Sequence, residues 1–171
     1  LADHTVAITG AVREDAKKRY AIAEAKLSVI PNGLDPERFS VRSARRPAGQ
    51  PFVFGTIGRL APQKGQADLI EACSKLNGDF RCLIAGDGPL RKELAALISY
   101  YHLDDKVSLV GPVDDVSGFL AQLDAFVFPS LWEGQGIAVL EAALAGLPII
   151  ASAVDGLEEV LKGDEAWLLP P

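Results

Sequence analysis

A series of short stretches along the chain is almost purely apolar: Thr5–Thr9, Leu27–Ile30, Phe52–Ile57, Phe80–Ala85, Val107–Val110, Ala125–Phe128, Pro148–Ser152 and Ala166–Leu169. Strands with one wet face alternate apolar and polar positions, whereas strands covered on both faces do not, so these runs predict a buried parallel sheet. Helical patterns fill the gaps at Val12–Ala25, Gln66–Leu76, Leu90–Tyr101, Val116–Leu123, Gly136–Ala145 and Leu157–Leu161. From Phe52 onward strand and helix alternate, the pattern of an α/β, Rossmann-like, doubly wound parallel sheet. Turn residues punctuate it. Gly86-Asp87-Gly88-Pro89 fits a tight turn opening a helix with Pro89 in its first position. Gly146 followed by Pro148 ends one helix and starts the next strand. The stretch Arg38–Pro51 has no apolar period and carries Arg38, Arg42, Arg45 and Arg46. It reads as a solvated surface loop, or alternatively as a peripheral contact with an anionic membrane surface.

Composition narrows the classes. The 171 residues correspond to one domain, or to one and a piece of another. The net charge of −6 disfavours sequence-independent nucleic-acid binding, which needs a basic footprint. Cys73 and Cys82 stand apart inside apolar runs and read as buried thiols of a reducing, cytoplasmic compartment. The uncharged run Ala142–Val154 is broken by Gly146 and Pro148, and a membrane span needs about 20 apolar residues. The first residues lack the basic start and apolar core of a signal peptide. A first residue that is Leu rather than Met suggests that the chain starts inside a longer protein.

Two segments carry candidate chemistry. In Phe126–Ser152 a strand is followed by a loop with Trp132, Glu133, Gly134, Gln135 and Gly136, and then by a helix. Glycines let another group approach the backbone closely, and a helix N-terminus offers free N–H groups to phosphate. Glu141 lies among apolar neighbours on that helix, which reads as buried nearly all round. An unpaired buried carboxylate costs several kcal/mol, so Glu141 needs partners. A buried Arg or Lys, backbone donors, or the vicinal hydroxyls of a ribose would serve. Glu133 is either an exposed loop carboxylate or a second acceptor for sugar hydroxyls. In Gly55–Gly65, Arg59 stands beyond a strand end and Lys64 just before a helix. A cation there opposes the helix dipole unless an anion joins it. Arg and Lys together suit a diphosphate, although two surface cations would also account for them. The pairs Asp104-Asp105 and Asp114-Asp115 read as turn and cap residues. No Asp-x-Asp offers a cradle for a divalent ion, and His4 and His102 have no second ligand at zinc spacing.

Val29–Asp35 (VIPNGLD), Gly58–Gly65 (GRLAPQKG), Ala85–Pro89 (AGDGP) and Pro129–Glu141 (PSLWEGQGIAVLE) together resemble the group 1 glycosyltransferases, in the family's order and over nearly the whole chain. The resemblance implies a retaining, metal-independent, nucleotide-sugar-dependent enzyme of the two-domain GT-B fold, with no cofactor beyond the donor itself, a UDP-sugar by default. Arg59 and Lys64 match the cations on the donor diphosphate and Glu133 the carboxylate on the donor sugar, which gives these three the catalytic roles. Gly134, Gln135, Gly136 and Ile137 match the turn facing sugar and phosphates, Glu141 the ribose carboxylate, and Val113 the main-chain contact with the base. The middle of the turn is often aromatic in the family and is Gln135 here. The resemblance divides the chain into the end of an acceptor domain at 1–25, a connection with the basic loop at 26–51, and a nucleotide-sugar domain at 52–171 truncated at its end. The glycan or lipid-linked acceptor would be held by the absent N-terminal domain, so the chain alone is expected to bind donor without transferring it. The rival classes are a sugar-nucleotide epimerase of similar fold and a non-catalytic α/β interaction module.

Overall fold

The computed structural model describes residues 3–39, 49–161 and 166–171. The central part of the basic loop, with Arg42, Arg45 and Arg46, lies outside them.

The chain opens with a small unit. Strand β1 (Thr5–Ala7) leads into helix α1 (Gly10–Tyr20), and β2 (Leu27–Val29) returns parallel to β1. Thr9 caps α1, accepting from the Val12 amide at 3.2 Å. The expected helix to Ala25 stops at Tyr20, because Ala21 takes the left-handed conformation with φ 50°. Three residues of 3₁₀ turn at Glu24–Lys26 then feed β2.

The main unit is one six-stranded parallel sheet. Its strands are β3 (Phe52–Ile57), β4 (Phe80–Ala85), β5 (Val107–Gly111), β6 (Ala125–Phe128), β7 (Ile149–Ser152) and β8 (Ala166–Leu169), in the order β5-β4-β3-β6-β7-β8. The chain builds outward from β3 in one direction, then returns to β3's other side and builds outward again. Ligands of such sheets bind where that reversal leaves a crevice, here beyond the carboxyl ends of β3 and β6. Register is direct, with Phe54 opposite Ala125 and Gly55 opposite Phe126.

Helices α2 (Gln66–Ser74) and α3 (Arg91–Tyr100) cover one face of the sheet. Their Leu69, Ile70, Cys73, Leu94 and Ile98 pack against Phe54, Phe80, Cys82 and Ile84. Helices α4 (Val116–Leu120), α5 (Ile137–Leu144) and α6 (Asp155–Glu158) cover the other face. There Phe119, Leu120, Val139, Ala142 and Leu157 pack against Val53, Phe126, Phe128 and Ile149. Adjacent residues such as Val53 and Phe54 enter opposite cores, as the period of two in a strand requires. Both cysteines are buried and unbridged. Asp115 caps α4 and Asp104 accepts from Ser99, as expected of turn residues. Pro89 lies one residue ahead of the α3 cap Leu90 rather than inside the helix, because the turn through Gly88 consumes an extra residue.

Candidate active site

The site is built from the loops leaving β3 and β6. The first, Gly58–Gly65, passes through a 3₁₀ turn at Pro62–Lys64, and Gly65 enters α2 with φ 63°. That conformation suits glycine. It also brings the helix entry against the Pro129 carbonyl, so closely that any Cβ at Gly65 would collide with it. The Leu131 amide donates to the Gln63 carbonyl at 2.8 Å, which ties the two loops together. Gln66, buried at the start of α2, donates to the Arg59 carbonyl at 3.0 Å.

The cleft between the loops has a volume of about 410 Å³ and is lined by Arg59, Lys64, Glu133, the Gly134–Ile137 turn and Glu141, with Asn32 and Ile8 at its edge. Side chains from both loops, far apart in sequence, thus face one another. Val113 is not among the residues lining this cleft; its side chain packs against the core beyond β5.

Lys64 and Glu133 form an ion pair, with side chains 20% and 8% exposed. The carboxylate oxygen that receives Lys64, Oε1, also accepts from Ser130 at 2.9 Å. The ammonium lies 5.0 Å from the centre of the Phe128 ring, a cation–π distance. The anion that relieves the Lys64 charge at the helix entry is therefore supplied by the chain itself. Arg59 is exposed, and among the described residues its guanidinium makes no hydrogen bond or ion pair.

Gln135 is 3% exposed, and its side chain is turned onto the segment after β2. Its Oε1 accepts from the Asn32 amide at 3.1 Å and from Asn32 Nδ2 at 2.7 Å. Gly136 follows with φ 70° and starts α5; a Cβ there would meet Leu157. The α5 N-terminus opens onto the cleft through Gly136 and Ile137.

Glu141 departs from expectation. Val139, Ala142 and Ala145 face the core, but Ile137 is 45% exposed and Glu141 itself is half-buried. The helix is enclosed on one side only, because the cleft occupies the other. Among the described residues Glu141 has no hydrogen bond or ion pair. Burial raises its carboxyl above the ordinary carboxylate value, and the charge of Arg38 partly offsets this.

Ser130, Asn32, Thr9 and Gly156 also shape the site; Ser130 and Asn32 fall inside the motifs Pro129–Glu141 and Val29–Asp35 without a role assigned to them there, and nothing in the sequence points to Thr9 or Gly156. Asn32 lies within the Val29–Asp35 motif, where its Asn-Gly step signals only a turn. The others are ordinary residues, and Thr9 and Gly156 meet their neighbours in the site only through the fold. A second hollow, of about 760 Å³, lies across the Leu131–Gly134 loop, between it and α1, with Trp132 at its rim. Among the described residues no group of three or more His, Cys, Asp or Glu converges as a metal site. No helix among them is long and apolar enough to cross a membrane.

The fold, a Rossmann-like parallel sheet, is shared with known proteins. Residues 37–171 match the family described as glycosyl transferases group 1, and the chain belongs to that family. The chain is 34% identical over 171 residues to the UDP-Gal:alpha-D-GlcNAc-diphosphoundecaprenol alpha-1,3-galactosyltransferase of Escherichia coli, covering 89% of this chain and 43% of that protein. It is 34% identical over 157 residues to the amylovoran biosynthesis glycosyltransferase AmsK of Erwinia amylovora, covering 85% of this chain and 38% of that protein. The chain thus spans less than half the length of these relatives. Among solved structures, Anabaena HepE in complex with UDP and glucose superposes with a TM-score of 0.89 at 25% identity, covering 100% of this chain and 50% of that one. Sucrose-phosphate synthase from Thermosynechococcus elongatus gives 0.83 at 28% identity, covering 100% and 46%. The fold is that of the Rossmann-like unit of GT-B glycosyltransferases.

Proposed function

We propose that this chain is the nucleotide-sugar-binding part, the C-terminal half, of a retaining glycosyltransferase. The whole protein would move a hexosyl-type sugar from a nucleoside diphosphate sugar, a UDP-sugar by preference, to a glycan or lipid-linked acceptor. The observation that carries this reading is the convergence of Arg59, Lys64, Glu133, the Gly134–Ile137 turn and Glu141 on one cleft at the strand reversal. The UDP and glucose bound to HepE support it, as does the UDP-galactose donor named for the bacterial relative.

The roles follow from the chemistry. The α5 N-terminus and the exposed Arg59 fork receive the diphosphate. Lys64 adds a second positive charge, held in place by Glu133. As the glycosidic bond to the diphosphate breaks, negative charge grows on the leaving oxygen. Fixed cations in a partly dry cleft stabilise that charge more than they stabilise the ground state. With two cations at hand, no Mg²⁺ or Mn²⁺ is called for. The second oxygen of Glu133, which has no partner among the described residues, is free to accept from a donor-sugar hydroxyl. Glu141 accepts from the two ribose hydroxyls and exchanges a poorly solvated, unpartnered state for two charge-assisted hydrogen bonds. The base would meet the main chain near Val113. We assign 1–25 to the end of the acceptor domain, 26–51 to the connection and 52–171 to the donor unit; the pairing of Leu27–Val29 with β1 favours grouping β2 with the first of these.

Calorimetric titration with UDP, GDP and ADP tests this. One of them should bind at a single saturable site, and Arg59→Ala should weaken it by about 1.5–3 kcal/mol, the range for a hydrogen bond to a charged group. Failure of all three to bind returns the chain to the class of interaction modules. Binding indifferent to Arg59 removes the diphosphate assignment.

A further inference from the structure

The turn from Glu133 to Gly136 contains two glycines in four residues, and such a backbone does not hold one conformation unaided. Its restraints come from elsewhere. Thr9, 3% exposed and just before α1, donates its hydroxyl to the Gly134 carbonyl at 2.8 Å. The Gln135 side chain is gripped by the backbone and side-chain amides of Asn32. A Cβ added to Gly134 would lie 3.1 Å from Ile8 Cδ1. Thr9, Asn32 and Ile8 all belong to the small N-terminal unit or the segment leaving it. That unit is in turn fastened to the main unit by Glu159, at the end of α6. The Glu159 carboxylate accepts from the Gly10 amide at 2.8 Å and from the Ala11 amide at 2.6 Å. These are first-turn donors of α1, which have no partner inside the helix. Gly156, the second residue of α6, packs its backbone under the Glu133 and Gly134 carbonyls, leaving no room for a Cβ.

We propose that Thr9, Asn32 and Glu159 are positioning residues of the donor site. The N-terminal unit clamps the phosphate- and sugar-facing turn, and Glu159 keeps that clamp docked. The inference rests on the donor-cleft reading above. Coupling of this kind is reciprocal: if docking of the unit improves nucleotide affinity, nucleotide tightens docking by the same factor.

The test joins affinity with amide exchange. UDP, GDP and ADP are titrated into wild type and into Glu159→Ala, Glu159→Gln, Thr9→Val and Thr9→Ser. Circular dichroism melting confirms that each variant is folded. The nucleotide that binds wild type should bind Glu159→Ala and Thr9→Val, each of which loses two hydrogen bonds, about three- to tenfold more weakly, the share of that loss coupled to the turn. Ser keeps the donating hydroxyl and should restore most of the Thr9 loss, whereas Gln keeps one accepting oxygen for two amides and sets its NH₂ against the other, so it should recover only part of the Glu159 loss. In wild type, saturating nucleotide should slow hydrogen exchange at the Gly10 and Ala11 amides, which do not line the donor cleft. A merely structural role for Glu159 would lower the melting temperature without that protection. Unchanged affinity in both folded variants, or unchanged exchange at Gly10 and Ala11, overturns the clamp while leaving the donor reading intact. Absence of binding by all three nucleotides in wild type defeats the donor reading, and the clamp with it.

Discussion

Glu133 and Glu141 stand eight residues apart, on either side of the start of α5, and their circumstances are opposite. Glu133 sits in the loop, where a carboxylate would ordinarily be solvated, yet its side chain is 8% exposed and held by Lys64 and Ser130. Glu141 sits on an apolar helix, where a partner is expected, yet among the described residues it makes no hydrogen bond or ion pair, and burial pushes its carboxyl up with only the charge of Arg38 working against it. A carboxylate held through one oxygen by the chain is fixed in place, with its other oxygen left for a ligand. One left desolvated and unpaired is a site waiting for donors. The difference teaches which acid the ligand-free fold needs and which it tolerates.

The largest expected effect lies on the Glu133 side. Lys64→Ala leaves a nearly buried carboxylate without its cation and should destabilise the ligand-free chain by about 3 kcal/mol, read by urea unfolding. A loss below about 1 kcal/mol would mean that the pair is solvated and that Glu133 does not hold the Lys64 ammonium in place for the diphosphate. Next in size is Gly156→Ala. The added Cβ has no space beneath the Glu133 and Gly134 carbonyls. It should cost about 1–3 kcal/mol, as overpacking does, and should weaken nucleotide binding by displacing the turn. Stability and affinity both at the wild-type level would show that α6 does not support the turn.

Glu141→Gln has the reverse signature. It removes the charge that burial disfavours, so ligand-free stability should hold or rise slightly, while nucleotide binds more weakly. Lost stability with intact affinity would make Glu141 structural. Its pH dependence has a definite sign. The native state keeps the Glu141 proton to a higher pH than the unfolded chain does. The cost of ionising it is therefore absent below the unfolded pKa, about 4.3. That cost is complete above the raised folded value. Between the two, stability contributed by this group falls as pH rises. The Glu141→Gln variant should lack this component in pH-dependent melting curves.

Much of the fold was legible because the signals were local. The uninterrupted apolar runs at Phe52–Ile57 and Phe80–Ala85 and the Gly146–Pro148 stop are properties of neighbouring residues, and the strands and turn fall there. Helix ends were less legible: no sequence signal marks Ala21 for the left-handed conformation that stops α1. In the site, Arg59, Lys64 and Glu141 stood out because a charge at a strand end, at a helix entry or in an apolar helix is costly, and Glu133 as a loop carboxylate eight residues before Glu141; the fold brings them to one cleft. Their environments were not legible, since each depends on tertiary contact. Lys64 meets Glu133 across 69 positions, and one side of α5 is open because the cleft lies there. The ties from Thr9 and Glu159 span 125 to 149 positions and use residues with no local peculiarity.

The most direct test is to map nucleotide contact residue by residue, by following backbone amide resonances of the isotope-labelled chain during titration with UDP, GDP and ADP. One nucleotide should shift Gly58, Arg59, Gly134 to Ile137 and Glu141 together, along a single saturation curve, with the β4 and β5 interior unmoved. Saturable shifts confined to the hollow beside Trp132, or no saturable shift with any of the three, would contradict a donor site at the strand reversal.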